Sequence, residues 1–248
     1  MTVDYPAAGA IAGLRALWKE AFGDSDLFLD AFFARGFSPD RCRCITENGT
    51  VLAALYWFEA TCKGQRFAYL YAIATAASHR GKGLFSALLA DTKAVLEKAG
   101  FDGILLVPEN EPLSRMYEKF GFTACTAVDA FSAVAAQEAV PLREIGPEEF
   151  SMLRRQYLPA GGVVQEGENL RFLASYAQFY AGADFVLALS GQEGVELLGN
   201  REKAPGIPAA LGLPAVKFRT PGGDIPFAMF LPLQENVPTP KYFGLAFD

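Results

Sequence analysis

Residues 78–89 read Ser-His-Arg-Gly-Lys-Gly-Leu-Phe-Ser-Ala-Leu-Leu, and the first half of this stretch has the residue types of a phosphate site. Two glycines and two cations fall within residues 80–83. If a helix begins at Leu84, its unpaired backbone N–H groups and the positive end of its dipole point into this turn. Gly81 and Gly83 let a phosphate approach the backbone, which a Cβ would obstruct. The pattern predicts an anion site, and a plain solvated turn is the alternative.

The spacing excludes two widespread phosphate motifs. The Walker pattern G-x-x-x-x-G-K-[ST] does not occur. Lys82 lies between the two glycines and not after the second one, and Ser86 comes three residues after Gly83. The dinucleotide pattern G-x-G-x-x-G has Ser86 where its third glycine belongs. The acid about 20 residues further on, Asp102, precedes the next expected strand, whereas the ribose-binding acid ends one. A Rossmann-type site is therefore not expected.

The turn needs flanking elements that position it. An apolar run predicts a strand over Phe67–Thr75, and leucines at helical spacing predict a helix from Leu84 to about Lys98. A buried strand is expected over Ile104–Val107, followed by a short helix that starts near Pro112. This order places the glycines at a strand-to-helix turn.

Upstream of the turn, the sequence predicts two helices and a hairpin. Helical spacing indicates a helix over Ala10–Phe22, and a Phe-rich stretch at 28–37 indicates a second one. That stretch could line a substrate pocket or simply pack the helix. Strands over Arg43–Thr46 and Val51–Phe58 flank Asn48-Gly49, a pair that tolerates the positive φ angles of a hairpin turn.

The pattern changes near residue 140, where we place a domain boundary. Residues 1–140 would form one domain and residues 141–248 a second, smaller α+β domain. In the second part helices are expected over Glu148–Tyr157 and Leu170–Tyr180. The strands expected after them are Phe185–Leu189, Val195–Leu198, Val216–Arg219, Pro226–Leu231 and Tyr242–Phe247.

Composition narrows the class of protein. The 248 residues are 51% hydrophobic and 13% aromatic, which suffices for a packed core and excludes a disordered chain. A net charge of −6, with no basic tail, argues against nucleic acid or a membrane as partner. Without a signal-like or membrane-spanning segment, we expect a soluble, cytoplasmic protein. Four cysteines and one histidine lack metal-ligand spacing, so reduced thiols and no metal site are expected.

Two motifs together resemble the GNAT acetyltransferase superfamily. Arg80-Gly-Lys-Gly83-Leu-Phe85 is similar to the family's pyrophosphate loop, Arg-x-x-Gly-x-[Gly/Ala]. Asn110-Glu-Pro-Leu-Ser-Arg-Met-Tyr117-Glu-Lys-Phe-Gly121-Phe122 is similar to its C-terminal motif, in which an Asn precedes a helix ending in Tyr-x-Lys-x-Gly-Phe. Order and spacing match across roughly residues 5–135. The resemblance implies an α/β (α+β) fold with a mixed, mostly antiparallel GNAT-type sheet flanked by helices. Residues 141–248 would be a degenerate GNAT-like or substrate-covering domain.

The resemblance also implies acetyl-CoA as the cofactor and assigns roles to individual residues. The pantetheine arm would pair with the backbone of the strand end, at Ile73, Ala74 and Thr75. The pyrophosphate would be held by the turn, at Arg80, Gly81, Lys82, Gly83, Leu84 and Phe85. Asn110 would contact the cofactor where the fourth and fifth strands separate. Tyr117 would be the general acid that protonates the departing thiolate.

The implied function is direct transfer of an acetyl group from acetyl-CoA to an amine, on a small molecule or a peptide, whose identity the residues leave open. Such a transfer needs a positioned amine, a donor on the developing oxyanion and a proton for the leaving thiolate. Two alternatives stay open. One is an acyl-CoA-binding regulatory module with little or no catalysis, and the other is a binding protein whose turn holds a different phosphate.

Several positions depart from the family pattern or carry a second interpretation. Phe85 stands where Gly or Ala is usual. The strand Phe67–Thr75 contains no acid, so the general base could be Glu59, the terminal carboxylate of Asp248 or ordered water. Tyr117 shares a helical stripe with apolar residues, and a core residue with a satisfied hydroxyl is the alternative to the acid.

Overall fold

The computed structural model describes residues 2–247, which divide into two compact units. The first unit takes the chain as far as Ala60, together with Gln65–Leu106 and Pro232–Val237. The second takes Thr61–Gly64, Val107–Leu231 and the chain from Pro238 onward. Helices flank mostly antiparallel strands in this structure, which confirms the α+β fold class. The domain boundary near residue 140 stays a prediction.

The first unit is a sheet with helices packed on it. Its elements are β1 (Val3–Asp4), α1 (Ile11–Phe22), α2 (Asp26–Arg35), β2 (Cys42–Glu47), β3 (Thr50–Cys62), β4 (Gln65–Thr75), α3 (Leu84–Lys98) and β5 (Gly103–Leu106). The strand order is β1-β2-β3-β4-β5. β2 is antiparallel to β1 and β3, whereas β5 runs parallel to β4. Helix α1 packs on β4, and α3 packs on β2 and β4. The strand, turn, helix and strand predicted around the glycines are confirmed.

The predicted hairpin joins β2 to β3. Asn48 and Gly49 have φ angles of 49° and 80°, and Glu47 pairs with Thr50 across them. These angles are those that a two-residue turn between twisted strands requires. The Asn-Gly interpretation is therefore confirmed.

The aromatic residues of α2 pack around Trp18. Its ring centroid lies 4.6 Å from that of Phe32, which is fully buried and in turn lies 5.1 Å from Tyr56 of β3. The indole Nε1 donates a hydrogen bond to Asp24 Oδ2 at 2.7 Å. Aromatic pairs of this kind add to the area that they bury. The contacts support helix packing as the account of the Phe-rich stretch.

The second unit contains a separate, seven-stranded sheet. Its elements are α4 (Glu111–Glu118), β6 (Thr123–Ala124), β7 (Ala127–Val134), β8 (Arg143–Ile145), α5 (Pro147–Tyr157), α6 (Glu168–Leu173), β9 (Gln178–Ala181), β10 (Phe185–Ser190), β11 (Glu193–Gly199), α7 (Gly206–Leu211), β12 (Ala215–Pro221), β13 (Ile225–Pro226) and β14 (Met229–Pro232). The order in the large sheet is β13-β7-β12-β11-β10-β9-β8, and β14 pairs with β6 outside it. Only the β11–β12 pair among these described strands is parallel.

Three predicted elements of the second part are wrong in extent. The helix expected to reach Tyr180 ends at Leu173, because Phe179 stacks on Phe150 at 4.4 Å and belongs to strand β9. The strand expected over 226–231 is split, since β13 pairs with β7 and β14 pairs with β6. The segment 242–247 is buried but not a strand; within it Tyr242 makes a single bridge to Gly162. Apolar periodicity alone does not separate these cases.

The four cysteines of the chain are free thiols. Cys42, Cys44 and Cys62 are buried free thiols, and Cys125 is half-buried. Burial raises the pKa of each thiol, which keeps it protonated and unreactive.

Within residues 2–247, no helix combines the length and the apolar character needed to cross a membrane.

A buried ion pair anchors the C-terminal segment of the second unit. Arg154 donates from Nε to Glu196 Oε2 at 2.6 Å and from a terminal nitrogen to Oε1 at 2.9 Å. The side chains are 3% and 0% exposed. Tyr242 donates its hydroxyl proton to Glu196 Oε1 at 2.9 Å, and burial with the adjacent carboxylate raises the pKa of this tyrosine well above its usual value. The carboxylate is therefore satisfied by three donors, as a buried charge requires.

Removing the carboxylate should strongly destabilise the protein. Glu196→Ala leaves the Arg154 guanidinium buried without a counter-charge, so we expect the free energy of unfolding to fall by about 3–5 kcal/mol. Urea denaturation measures this change. The control is Glu149→Ala, which breaks the exposed pair with Arg143 and should have a much smaller effect. The double variant Arg154→Met, Glu196→Leu should recover most of the loss. Equal stability of the Glu196→Ala and Glu149→Ala variants would contradict the anchoring role.

Candidate functional site

The end of strand β4 extends beyond its partner. The ladder between β4 and β5 comprises three pairs and ends at Tyr69↔Leu105. Ile73, Ala74 and Thr75 lie past that last pair, on the same strand. Their backbone on this side is thus placed to pair with an extended group other than β5.

Ala72 interrupts β4 just before these residues. Its φ angle is +47°, a left-handed conformation that alanine rarely adopts and that costs of order 1–3 kcal/mol. A left-handed residue inside a strand breaks the alternation of side chains and bends the backbone. Sequence reasoning missed this feature, because Ala72 is not one of the residue types that signal positive φ.

Three hydrogen bonds fix the backbone that leads into the turn. Ala76 N–H donates to the Leu52 carbonyl at 2.8 Å, and Ala77 N–H donates to Glu20 Oε1 at 2.7 Å. Arg80 Nε–H folds back and donates to the Thr75 carbonyl at 3.2 Å. The structure therefore brings Arg80 and Thr75 together. Glu20 lies 57 residues before its partner, and no local signal in the sequence points to it.

The turn itself presents unpaired backbone donors. Gly81 and Gly83 have φ angles of +74° and +79°, which glycine adopts without strain. Among the described residues, no acceptor receives the N–H groups of the four consecutive residues Gly81, Lys82, Gly83 and Leu84. Helix α3 runs 15 residues behind them, and its first turn, Leu-Phe-Ser-Ala, contains no acid. These donors and the helix dipole favour an anion.

The space over the glycines is open. A Cβ built on Gly81 or Gly83 would meet no protein atom within 4 Å. Packing therefore does not require glycine at these two positions. The positive φ angles favour glycine, and the absence of a side chain leaves room above the backbone. Phe85 is half-buried in the first turn of α3 while Leu84 is buried. The turn fits a phosphate group.

Asn110 and Tyr117 belong to the second unit and share helix α4. Asn110 is the N-cap, where its Oδ1 accepts a hydrogen bond from Leu113 N–H at 3.0 Å. Its Nδ2 has no acceptor among the described residues. Seven positions, about two helical turns, separate Asn110 from Tyr117, so both lie on one face of the helix. The capping contact gives Asn110 a structural role, and its cofactor contact stays a prediction.

Tyr117 is the buried residue of α4. Its side chain is 7% exposed, and its ring lies edge-on to Phe122 at 5.7 Å. The apolar neighbours of its predicted stripe are only half-buried, namely Leu113, Met116 and Phe120. Burial raises the pKa of Tyr117 to about 12. The hydroxyl therefore keeps its proton at every pH at which the protein is expected to work.

The other acid–base candidates differ in setting. Glu59 is exposed, and its Oε2 accepts a hydrogen bond from Arg66 at 3.2 Å, which supports a solvated carboxylate. Strand β3 continues to Cys62, so Glu59 does not lie at a strand end as the sequence predicts. Asp248 lies outside the described residues.

The sequence matches one protein-family model. That model is described as an acetyltransferase (GNAT) domain, and it covers residues 3–125. The matched stretch contains both motifs, the turn and the Asn110–Phe122 segment. No curated protein matches the sequence.

Solved structures resemble the chain well beyond the matched stretch. A GCN5-related N-acetyltransferase from Kribbella flavida shares 15% identity over 92% of this chain and 70% of its own, with a TM-score of 0.68. One from Anabaena variabilis shares 14% over 94% and 73%, with a TM-score of 0.71. Eis1 from Mycobacterium abscessus shares 11% over 94% and 74%, with a TM-score of 0.68. At these identities the likeness concerns the fold, and it includes both parts of the chain. Residues 3–125 therefore match a GNAT acetyltransferase domain, and the fold of the chain resembles that of GCN5-related N-acetyltransferases.

Proposed function

We propose that this protein is an acetyl-CoA-dependent N-acetyltransferase that transfers the acetyl group directly to an amine of a small molecule or a peptide. The observation that carries the proposal is the set of four N–H groups at residues 81–84, at the start of α3, for which the described part of the chain offers no acceptor. The acetyltransferase domain match at residues 3–125 supports the class of reaction.

The turn is the proposed pyrophosphate site. Backbone donors at Gly81, Lys82, Gly83 and Leu84 precede and begin helix α3, and among the described residues they have no acceptor, so they are available to donate to an anion. Lys82 and Arg80 are exposed and add positive charge beside them. Because Arg80 Nε already binds the Thr75 carbonyl, its main contribution is to hold the turn against the strand. Phe85 completes the predicted loop.

The strand end is the proposed site for the pantetheine arm. Ile73, Ala74 and Thr75 lie beyond the last β4–β5 pair, so their peptide groups can bond an amide-containing chain as a strand neighbour would. The left-handed Ala72 marks the place where β4 departs from a regular ladder. Asn110 is proposed as a further cofactor contact through its Nδ2.

Tyr117 is the proposed hydrogen-bond donor to the departing sulfur. Bound acetyl-CoA supplies the acetyl group as a thioester. With its pKa raised to about 12, Tyr117 Oη stays protonated, whereas a thiol has a pKa of about 8.5. Full transfer of the tyrosine proton to a thiolate is therefore uphill, and Tyr117 acts chiefly by donating a hydrogen bond to the developing negative charge.

The base and the second part complete the proposal. Glu59 is engaged with Arg66, so ordered water is the proposed route for the proton that the amine loses.

Residues 141–248 contain no second Arg-x-x-Gly-x-Gly loop. We propose them as a degenerate GNAT-like or substrate-covering domain that does not bind cofactor.

Acetyl-CoA should stabilise the protein. At a concentration of about 100 times its dissociation constant, a ligand of the native state adds about 2.7 kcal/mol, which corresponds to a Tm increase of roughly 5–10 °C for a chain of this size. Differential scanning fluorimetry measures it. NAD and ATP, which carry phosphates on other scaffolds, and acetylated pantetheine, which lacks the pyrophosphate, should give much smaller shifts. A larger shift with NAD or ATP than with acetyl-CoA would refute the cofactor assignment.

Gly83→Val should weaken cofactor binding specifically. The new side chain occupies the open space above the turn, so we expect the Kd for acetyl-CoA to rise at least about tenfold, measured by calorimetry. The matched control is Gly100→Val. Gly100 also has a positive φ of 76° and open space around its Cβ position, but it lies at the other end of α3. Both variants should lose similar stability, of order 1–2 kcal/mol. If both weaken acetyl-CoA binding equally, the turn is not the phosphate site.

Tyr117→Phe should slow the chemical step. Loss of the hydroxyl removes the proposed donor to the departing sulfur, so kcat should fall at least about tenfold while the Kd for acetyl-CoA stays within about twofold. Release of free CoA thiol, followed across a panel of amines, measures kcat. Tyr180→Phe, in strand β9, is the control for loss of a half-buried tyrosine hydroxyl. Unchanged turnover in Tyr117→Phe would leave Tyr117 a purely structural residue.

A further inference from the structure

A pocket of about 380 Å³ lies in the first unit beside the backbone that leads into the phosphate turn. Its walls are the inner face of α1, the start of β3 and the segment just before Arg80. The residues that matter for its chemistry are Leu17, Glu20, Val51, Leu52, Ser78 and His79. Nothing in the proposed transfer reaction uses it.

The pocket combines apolar walls with a few polar groups. Leu17, Val51 and Leu52 are buried and offer apolar surface. Small residues, Gly13, Ala16 and Ala76, leave the room between them. The volume is in the range of small-molecule sites, and such sites pair apolar walls with a few orienting polar groups.

The charge of the lining selects the kind of ligand. Glu20 supplies a carboxylate, and the lining contains no Lys or Arg. A phosphate or carboxylate ligand would face this charge without a counter-charge. Among the described residues no three His, Cys, Asp or Glu side chains cluster as a metal site, and this pocket offers only Glu20 and His79. The ligand that complements the negative charge of Glu20 is therefore an organic cation.

Glu20 has one oxygen to spare. Its Oε1 accepts the Ala77 N–H at 2.7 Å, and its Oε2 has no partner among the described residues. An ammonium group is a donor of three hydrogen bonds and forms short, charge-assisted bonds to a carboxylate. Ser78, whose hydroxyl lies 2.9 Å from His79 Nδ1, offers a second acceptor on the same wall.

We propose that this pocket binds a small organic cation, a primary ammonium with an apolar body. The ammonium donates to Glu20 Oε2 while Oε1 keeps its bond to Ala77. The apolar body lies against Leu17, Val51 and Leu52.

Binding there is coupled to the phosphate turn. Glu20 holds the N–H of Ala77, and Ser78 and His79 directly precede Arg80. A ligand that packs this segment against α1 orders the backbone that the turn starts from. By linkage, the cation and acetyl-CoA then strengthen each other's binding by the same factor. This coupling rests on the proposed cofactor role, whereas the pocket itself does not.

The single histidine of the chain reports on the pocket. Its imidazole gives one set of proton resonances in unlabelled protein, and His79 lines the pocket. We titrate the full chain, without acetyl-CoA, with 2-phenylethylammonium. The neutral probe is 2-phenylethanol, and the anionic probe is 3-phenylpropionate. We expect a saturable shift of the His79 resonances with the ammonium only. No saturable shift, or equal shifts with the neutral probe, would overturn the proposal.

Two variants locate the charge. Glu20→Gln keeps an amide oxygen for the Ala77 N–H but removes the negative charge, so the Kd for the ammonium should rise at least about tenfold. Glu97→Gln removes a half-buried carboxylate that pairs with Lys93 on the last turn of α3, and it should leave that Kd unchanged. Unaltered binding in Glu20→Gln would show that the ammonium binds elsewhere.

The coupling has its own readout. The Kd for acetyl-CoA, measured with and without saturating 2-phenylethylammonium, should fall by about fivefold in wild type, with no change in Glu20→Gln. An unchanged Kd in wild type would overturn the coupling. If acetyl-CoA does not bind at all, the proposed function fails, and the His79 titration still decides the pocket by itself.

Discussion

Four consecutive backbone N–H groups, at residues 81–84, find no acceptor within residues 2–247, and the first unit has to hold them in place. Exposed donors at a helix start are tolerable because water or an anion can satisfy them. The path of the backbone here depends on the left-handed Gly81 and Gly83, and both ends of the turn are tied to other elements. At one end Ala77 is tied to Glu20 and Arg80 to Thr75. At the other end α3 is held by its packing on β2 and β4. The sheet and helices of this unit therefore act as a rigid support for one backbone conformation.

The second unit contains a buried ion pair. It places a full ion pair, Arg154 and Glu196, out of contact with water and satisfies it with Tyr242 and the Val163 carbonyl. Such a pair adds little net stability over an apolar pair, but breaking it is costly, so it strongly selects one packing. Here it selects the path of the irregular segment 242–247, whose side chains are buried without the hydrogen-bonded ladder of a strand. Burial in the same unit keeps Tyr117 protonated, as a hydrogen-bond donor must be.

The elements around the turn could be predicted because their signals are local. The hairpin at Asn48-Gly49, the strand before the turn and the helix from Leu84 to Lys98 follow from turn chemistry and apolar spacing. In the second part the same rules predicted the extent of the elements less well. The helix expected to reach Tyr180 is one case, since Phe179 lies in strand β9 and stacks on Phe150. A short apolar run followed by aromatic residues reads equally well as helix or strand, and tertiary packing decides between them.

The sequence was enough to indicate the acetyltransferase domain and to predict an anion site at the turn, because glycines, cations and the Asn110–Phe122 motif are properties of neighbouring residues. Three further features depend on contacts between distant parts of the chain. One is the left-handed Ala72, which is strained in isolation and persists because the surrounding sheet holds it. The second is the bond from Glu20 to Ala77, and the third is the Arg154–Glu196–Tyr242 network. In both of the latter the partners lie 42 or more residues apart. Contacts at such separations leave no periodic or local trace in the chain, since they arise only when folding brings distant elements together.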